Sequence, residues 1–308
     1  MKFKYPFFAM GCSCEIVVKD KSQHAAKSAI EIAVREVKRL EAKYSYYSKS
    51  SYLSEINREA GEHWVQIDSE TQWLFETADR FFIDTDGLFD PTIGILSGLW
   101  DFKNMRLPER EEIRNSLESV GWEKCVERDG DKFRFTRPRT KIDLGGIVKE
   151  YVADQCRNVL EQIGVKNALI NLGGDIIAFA EDVETETAKG WSIGVSNPRD
   201  HKSTPMNFSV KNAVVLTSGD YHRYFLRDGK RYHHILSPIT GYPLELKFSG
   251  VTFLGRGTAV ETSLALSAFY YAGKADLETK SIDAYICFDA DGVLTKDSRL
   301  PENTRLLS

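Results

Sequence analysis

Residues 142–149 read Ile-Asp-Leu-Gly-Gly-Ile-Val-Lys, and this segment constrains the fold more than any other. An apolar run ends in a carboxylate, two glycines break it, and a helical pattern starts at once. From about Gly146 to Ile163, Val148, Tyr151, Val152, Val159 and Ile163 recur at helical spacing. A strand must therefore hand its chain directly to a long helix across a Gly-Gly turn. The first turn of a helix leaves N–H groups unpaired and carries the positive end of the helix dipole, so it attracts phosphate. Glycines at that point let a ligand approach the backbone, and Lys149 adds a full positive charge. The spacing is not that of a Walker loop. Alone, the segment is equally readable as a plain turn.

Asn171-Leu172-Gly173-Gly174-Asp175 repeats the motif about thirty residues on. By itself it is a hairpin turn; as a pair, the two Gly-Gly turns suggest backbone lining one cleft. Phe89-Asp90-Pro91-Thr92-Ile93-Gly94 sets a carboxylate beside a rigid bend. That carboxylate either closes its own turn or accepts hydrogen bonds from a heterocycle. Thr217-Ser218-Gly219-Asp220-Tyr221 and Tyr232-His233-His234-Ile235-Leu236-Ser237-Pro238 flank a hairpin at Asp228-Gly229. In a strand His233 and His234 point to opposite faces and cannot chelate one metal together. His234 precedes a loop stiffened by Pro238, Gly241 and Pro243, a place where a binding residue can be held rigidly.

The remaining pattern predicts a strand over 7–19 and a helix from His24 to Lys43. A helix over 70–86 presents Trp73, Leu74, Ala78, Phe81 and Phe82, and a charged surface helix covers 109–121. Paired strands follow over 125–145, turning at Asp129-Gly130, with further strands at 167–171, 175–180, 191–195, 207–217 and 249–254. An apolar helix at 259–272 precedes a last hairpin of 283–288 with 292–295. Strands and helices mix without a regular βαβ beat, so the fold class is α+β rather than doubly wound. No linker or repeat divides the chain, which is read as one domain over 1–308.

Composition narrows the partners. A net charge of −4 with no basic stripe argues against nucleic acid; Arg35, Lys38, Arg39 and Lys43 form a solvated helix face. The apolar run Tyr5–Met10 is too short and too broken by Pro6 for a signal peptide. No segment approaches the ~20 apolar residues of a membrane span. Met1 reads as the start of a cytoplasmic protein without a membrane anchor. Five scattered cysteines suit reduced thiols rather than a disulfide framework. Cys12 and Cys14 share one strand face, but no partner at ligand spacing makes them a metal site.

In order along the chain, these segments resemble the ApbE family. Met10-Gly11, the stretch Tyr44–Asn57 (YSYYSKSSYLSEIN), FDPTIG, IDLGGIVK, LINLGGD, TSGDY and HHILSPITGYP carry the resemblance over most of the sequence. It implies a mixed α/β architecture with two intimately packed subdomains around a flavin cleft. It also implies transfer of FMN from FAD to a threonine hydroxyl of a partner protein, assisted by Mg²⁺, with release of AMP. By motif position the FAD contacts are Met10, Tyr52, Leu88, Phe89, Asp90, Asp143, Lys149 and His234. Asp175 and Ser218 join them from the second Gly-Gly turn and the Thr-Ser-Gly-Asp stretch, and His234 takes the catalytic role. Gly146 offers a backbone carbonyl to the metal. This chain departs from the family at three places: Glu150 stands for the usual glycine after the lysine, Ser237 for an aspartate before proline, and the late helix lacks the usual Asp-x-x-x-Thr. Aligned on Gly273, that helix puts Ser263 and Ser267 at those positions; aligned on Val251, it puts Thr262 and Leu266 there. Glu261 is the nearest carboxylate along the helix. The alternatives are an FAD-binding protein without metal-dependent turnover, or a Mg²⁺-dependent FAD pyrophosphatase.

Overall fold

Several strands carry consecutive rather than alternating apolar residues because the sheet they form is covered on both faces. The computed structural model describes residues 1–20, 22–181, 190–200, 204–274, 282–296 and 305–306. In chain order the N-terminal half comprises β1 (Lys2–Ala9), β2 (Cys12–Lys19), α1 (Gln23–Tyr44), α2 (Tyr52–Glu59), β3 (Val65–Gln66), α3 (Ser69–Asp84), α4 (Gly94–Ser97), α5 (Arg110–Leu117), α6 (Trp122–Cys125), β4 (Val126–Asp129) and β5 (Lys132–Phe135). Then come α7 (Val148–Gln162), β6 (Asn167–Leu172), β7 (Asp175–Ala180), β8 (Trp191–Val195), β9 (Met206–Val210), β10 (Ala213–Gly219), β11 (Tyr224–Arg227), β12 (Lys230–His233), β13 (Gly250–Gly255), α8 (Ala259–Ala272), β14 (Ile282–Phe288), β15 (Leu294–Lys296) and β16 (Arg305–Leu306).

The main sheet has eight antiparallel strands in the order β1-β2-β6-β7-β10-β13-β14-β15. On one face Ile16, Ile170, Ile177, Leu216 and Phe253 pack against α1, α7 and α8. On the other, Val17, Leu169, Ala178, Val215 and Leu254 pack against Ile193, Met206 and Phe208 of the small sheet β16-β9-β8. A third cluster, with Leu96, Trp100, Ile113, Phe225 and Leu236, lies apart from both. No helix among the described residues is long and apolar enough to cross a membrane.

Local chemistry sets the element ends. Ser22 accepts from the Ala25 N–H (3.2 Å) to start α1, and Thr258 accepts from Glu261 (3.1 Å) to start α8. Asp154 of α7 also accepts from Ala259 N–H (2.7 Å) and Val260 N–H (3.0 Å), which clamps the start of α8 to α7. Gly273 closes α8 in the left-handed region at φ 67°.

Several expectations need correction. Residues 7–19 are not one strand: the chain reverses at Met10 and Gly11, with φ 54° and 70°, into the β1–β2 hairpin. The run 207–217 is two strands, because β9 and β10 belong to different layers and the chain crosses between them at Lys211-Asn212. The pairing expected over 125–145 ends at Phe135, and Ile142-Asp143 is an extended segment outside any strand. Trp73 does not face the core; it is 42% exposed, its ring tilted against Tyr151. Ile163 is likewise exposed, and Leu160 takes its place in the core. The helix α2 went unread.

Candidate active site

Three of the sequence motifs knit together through the backbone. Asn57, at the end of the tyrosine/serine stretch, donates from Nδ2 to the Ile142 carbonyl (2.8 Å), and its Oδ1 accepts from the Ile142 N–H (2.7 Å). The Gly94 N–H donates to the Lys141 carbonyl (3.1 Å) and the Asp143 N–H to the Pro91 carbonyl (2.8 Å). The FDPTIG bend therefore runs hard against the segment leading into the first Gly-Gly turn. A Cβ on Gly146 would lie 2.8 Å from Phe89 Cε2, so glycine is what lets that ring seat on the turn. Across the cleft the second Gly-Gly turn packs on β2, where the Gly173 N–H donates to the Ser13 carbonyl (3.1 Å).

The space between is a cleft of about 820 Å³, within the range of small-molecule sites. Met10, Leu88, Phe89, Asp90, Asp143, Gly146, Lys149, Asp175, Ser218, His234, Ser263 and Ser267 all line it. Tyr52 does not: its hydroxyl donates to the Gln66 carbonyl (3.3 Å), away from the cleft. The same tyrosine-rich stretch contributes Tyr44, Tyr46 and Tyr47 instead. Of the two alignments of α8, the one anchored on Gly273 faces the cleft; Thr262 is buried and donates to the Thr258 carbonyl of its own helix (2.9 Å). Glu261 is exposed and outside the cleft. Lining residues that sequence reasoning missed include Cys12, Tyr46, Tyr47, Arg223 and Glu150, each within or beside a quoted motif, which was the available signal, and Glu41, Phe102 and Tyr271, which no motif marks.

The charges are arranged in a definite order. Lys149 forms an ion pair with Asp175, whose side chain is 3% exposed. Burial alone would lower the Lys149 ammonium, but Asp175 and Glu150 outweigh it and hold it above the ordinary lysine range. Burial, followed by the charge of Asp175, pushes Glu150 up to about 8 against the pull of Lys149. Glu150 Oε2 is buried and makes no hydrogen bond. The Cys12 and Cys14 sulfurs lie 3.7 Å apart as free thiols. The hydrogen bond from Cys14 holds Cys12 down at about 7, while the same bond and burial push Cys14 up.

Asp90 resolves to its turn role. Oδ1 accepts from the Thr92 N–H (2.8 Å) and hydroxyl (2.5 Å), and Oδ2 from the Trp122 N–H (2.9 Å). With three donors from its own chain, this carboxylate braces the bend beneath Phe89. Asp143 accepts from the Gly145 N–H (2.9 Å), and burial raises it above the usual carboxylate range.

The two histidines separate, although β12 ends at His233 and His234 lies just beyond the strand. His233 is buried; Ile235 N–H donates to its Nδ1 (3.3 Å), so Nε2 carries the proton shared with the Leu244 carbonyl (3.1 Å). His234 lines the cleft with Nδ1 3.3 Å from the Arg223 carbonyl. That partner requires the proton on Nδ1 and leaves Nε2 free to accept one. Burial, then the charge of Arg223, lowers His234 to about 4. Its ring is therefore neutral at pH 7. Unfolded, it takes a proton near 6.5, and folded only near 4. Stability is thus lost as pH falls from about 6.5 toward 4. Thermal melts of His234→Gln should show a flatter pH dependence than wild type across that window; identical slopes would remove His234 as the source.

The cleft lining includes oxygen donors of the type that hard cations prefer, from Gly146, Glu150, Ser263 and Ser267, and Glu150 Oε2 among them has no hydrogen-bond partner. No group of three or more His, Cys, Asp or Glu side chains placed to hold a metal occurs among the described residues.

Residues 10–283 match the ApbE family. The chain belongs to the ApbE family. Within it, an FAD:protein FMN transferase from Klebsiella pneumoniae is 32% identical over 273 residues, covering 86% of this chain and 84% of that protein. One from Treponema pallidum is 28% identical over 275 residues, covering 84% of this chain and 76% of that protein. The ApbE fold itself is shared: the crystal structure of the ApbE protein of Thermotoga maritima superimposes with a TM-score of 0.84 at 32% identity, covering 97% of both chains. The mixed α+β class read from the sequence is thus that of the ApbE structures.

Proposed function

We propose that this chain is an FAD:protein FMN transferase, carrying FMN from FAD to a threonine hydroxyl of a partner protein. The observation that supports this most is the placing of a charged Lys149 and a neutral His234 on the walls of one cleft. Lys149 stands in the first turn of α7, where helix N–H groups and ammonium together favour the diphosphate. Its bond to Asp175 leaves two further N–H donors for phosphate oxygens. Phe89, Tyr46 and Tyr47 give the flavin aromatic walls. The threonine oxygen attacks the phosphorus nearest riboflavin. A new P–O bond forms as the P–O–P bridge breaks, and AMP leaves with the bridging oxygen. His234 Nε2 takes the hydroxyl proton. The Gly146 carbonyl and the Ser263 and Ser267 hydroxyls would hold Mg²⁺, which when bound supplies positive charge to the diphosphate.

The test is incubation with FAD, Mg²⁺ and an acceptor domain bearing its target threonine, read as flavin fluorescence on the acceptor band and AMP by chromatography. His234→Ala should slow transfer by about a hundredfold, the scale of a lost general base. His233→Ala should act on stability instead, because both its ring nitrogens bond the loop backbone. Equal losses of transfer from the two variants would overturn the assignment. FAD that persists with the wild type would make this a binding protein, and AMP formed without acceptor a pyrophosphatase.

A further inference from the structure

We infer that the Glu150 carboxylate is a ligand of the divalent cation in this cleft and supplies from α7 the negative charge that α8 does not carry. The inference rests on the transferase reading for the identity of the anionic substrate, but the ligand set is argued from this chain's residues.

Glu150 is 8% exposed, it lines the cleft, and its Oε2 has no hydrogen-bond partner. A buried carboxylate oxygen without a donor is costly and rare, and it calls for a cation or a proton. No neighbouring side chain answers that call. Lys149, the cation next to it in the chain, is committed to Asp175. Once a cation displaces the proton that burial favours on Glu150, the three side chains carry one positive and two negative charges, and the bound cation meets one unbalanced negative charge.

Helical geometry places the other donors. Glu150 and Asp154 are four apart and share one stripe of α7, and Gly146 sits in the turn just before that helix. Asp154 shows which way that stripe faces, because it bonds the first N–H groups of α8. On α8 the matching stripe is Ala259, Ser263 and Ser267. With Asp154 fixed at Ala259, an antiparallel crossing brings Glu150 level with Ser263 and carries the turn at Gly146 toward Ser267. A parallel crossing would bring Asn158 to Ser263, yet Asn158 is exposed and outside the cleft that Ser263 and Ser267 line. The site thus offers one carboxylate, one carbonyl and two hydroxyls, all hard oxygen donors, with room for phosphate oxygens. That set suits Mg²⁺ or Mn²⁺ and gives no thiolate or imidazole to softer metals.

The experiment uses the full chain as wild type, Glu150→Gln and the double variant Glu150→Gln with Ser263→Asp. Mn²⁺ binding is followed by the loss of the free-ion EPR signal, with and without FAD. FAD binding is measured separately by flavin fluorescence in EDTA. Glu150→Gln should bind FAD in EDTA like the wild type and bind Mn²⁺ at least about tenfold more weakly. The double variant, which returns a carboxylate from the opposite helix, should recover Mn²⁺ affinity. Equal Mn²⁺ affinity in wild type and Glu150→Gln would overturn the inference, as would a wild type that binds no Mn²⁺ even with FAD. Failure of FAD to bind in EDTA would instead count against the transferase reading. The Mn²⁺ arm without nucleotide would still decide the ligand.

Discussion

Lys149→Met should lower stability by about 3–5 kcal/mol at neutral pH, the cost of breaking a buried ion pair from one side. The methionine keeps most of the lysine stem, so the loss reports the charge. Asp175 and Glu150, both buried in the cleft wall, would then face each other with no cation between them. Replacing both partners, Lys149→Met with Asp175→Asn, should recover most of the loss, because no unpaired charge remains. Urea unfolding at pH 7 measures both variants. A single variant as stable as the wild type at pH 7 would show that the pair is not coupled in solution. FAD affinity of the double variant should stay low, since its phosphate-facing ammonium is gone.

Gly94→Ala should cost about 2–3 kcal/mol although it adds one methyl group. A Cβ there would stand 2.6 Å from the Lys141 carbonyl oxygen and 3.0 Å from its carbon. Both are backbone atoms, in the segment that Asn57 holds from its other side. Neither partner has a rotamer to give, so the two motifs must part. Phe89 and Gly146 then separate, and FAD binding should weaken along with the melting temperature. Gly61→Ala is the control: nothing lies within 4 Å of its added Cβ, and its effect should stay within about 0.5 kcal/mol. Matching losses from the two variants would mean that the close approach of Gly94 to the Lys141 carbonyl is not the cause.

What could be read in the sequence was what is local. The period of α7 and α8, the Asp228-Gly229 hairpin and the two Gly-Gly turns depend on neighbours along the chain, and all fall where the pattern put them. The Met10-Gly11 reversal was missed because methionine is an uncommon occupant of positive φ. It is steadied from a distance, by Glu41 Oε1 accepting from the Met10 N–H (2.6 Å). Trp73 was read as core because its spacing fits the buried face of α3, yet spacing does not say where cover runs out. Tyr52 was carried over by motif position, while the chain presents Tyr46 and Tyr47 to the cleft. Glu150 is the instructive case. In one dimension it is a misplaced charge beside a lysine, and Ser263 is a lost carboxylate far away. Only the Asp154 clamp, a contact over about a hundred residues, puts the two changes on helices that touch, and both residues line the cleft.

The pairing of β2 with β6, Cys14 opposite Leu172, also orders events in time. The roughly 160 intervening residues take on the order of ten to thirty seconds to synthesise at about 5–20 residues per second. Through that interval the N-terminal hairpin has β1 as its only strand partner, and the inner edge of β2 offers unpaired backbone groups beside Ile16, Val17 and Val18. An open apolar edge is what recruits another nascent chain. The long loop that must close before β6 arrives makes this a slow, high-contact-order sheet. The β1–β2 hairpin is thus a stretch of the growing polypeptide that a ribosome-associated holdase has reason to guard.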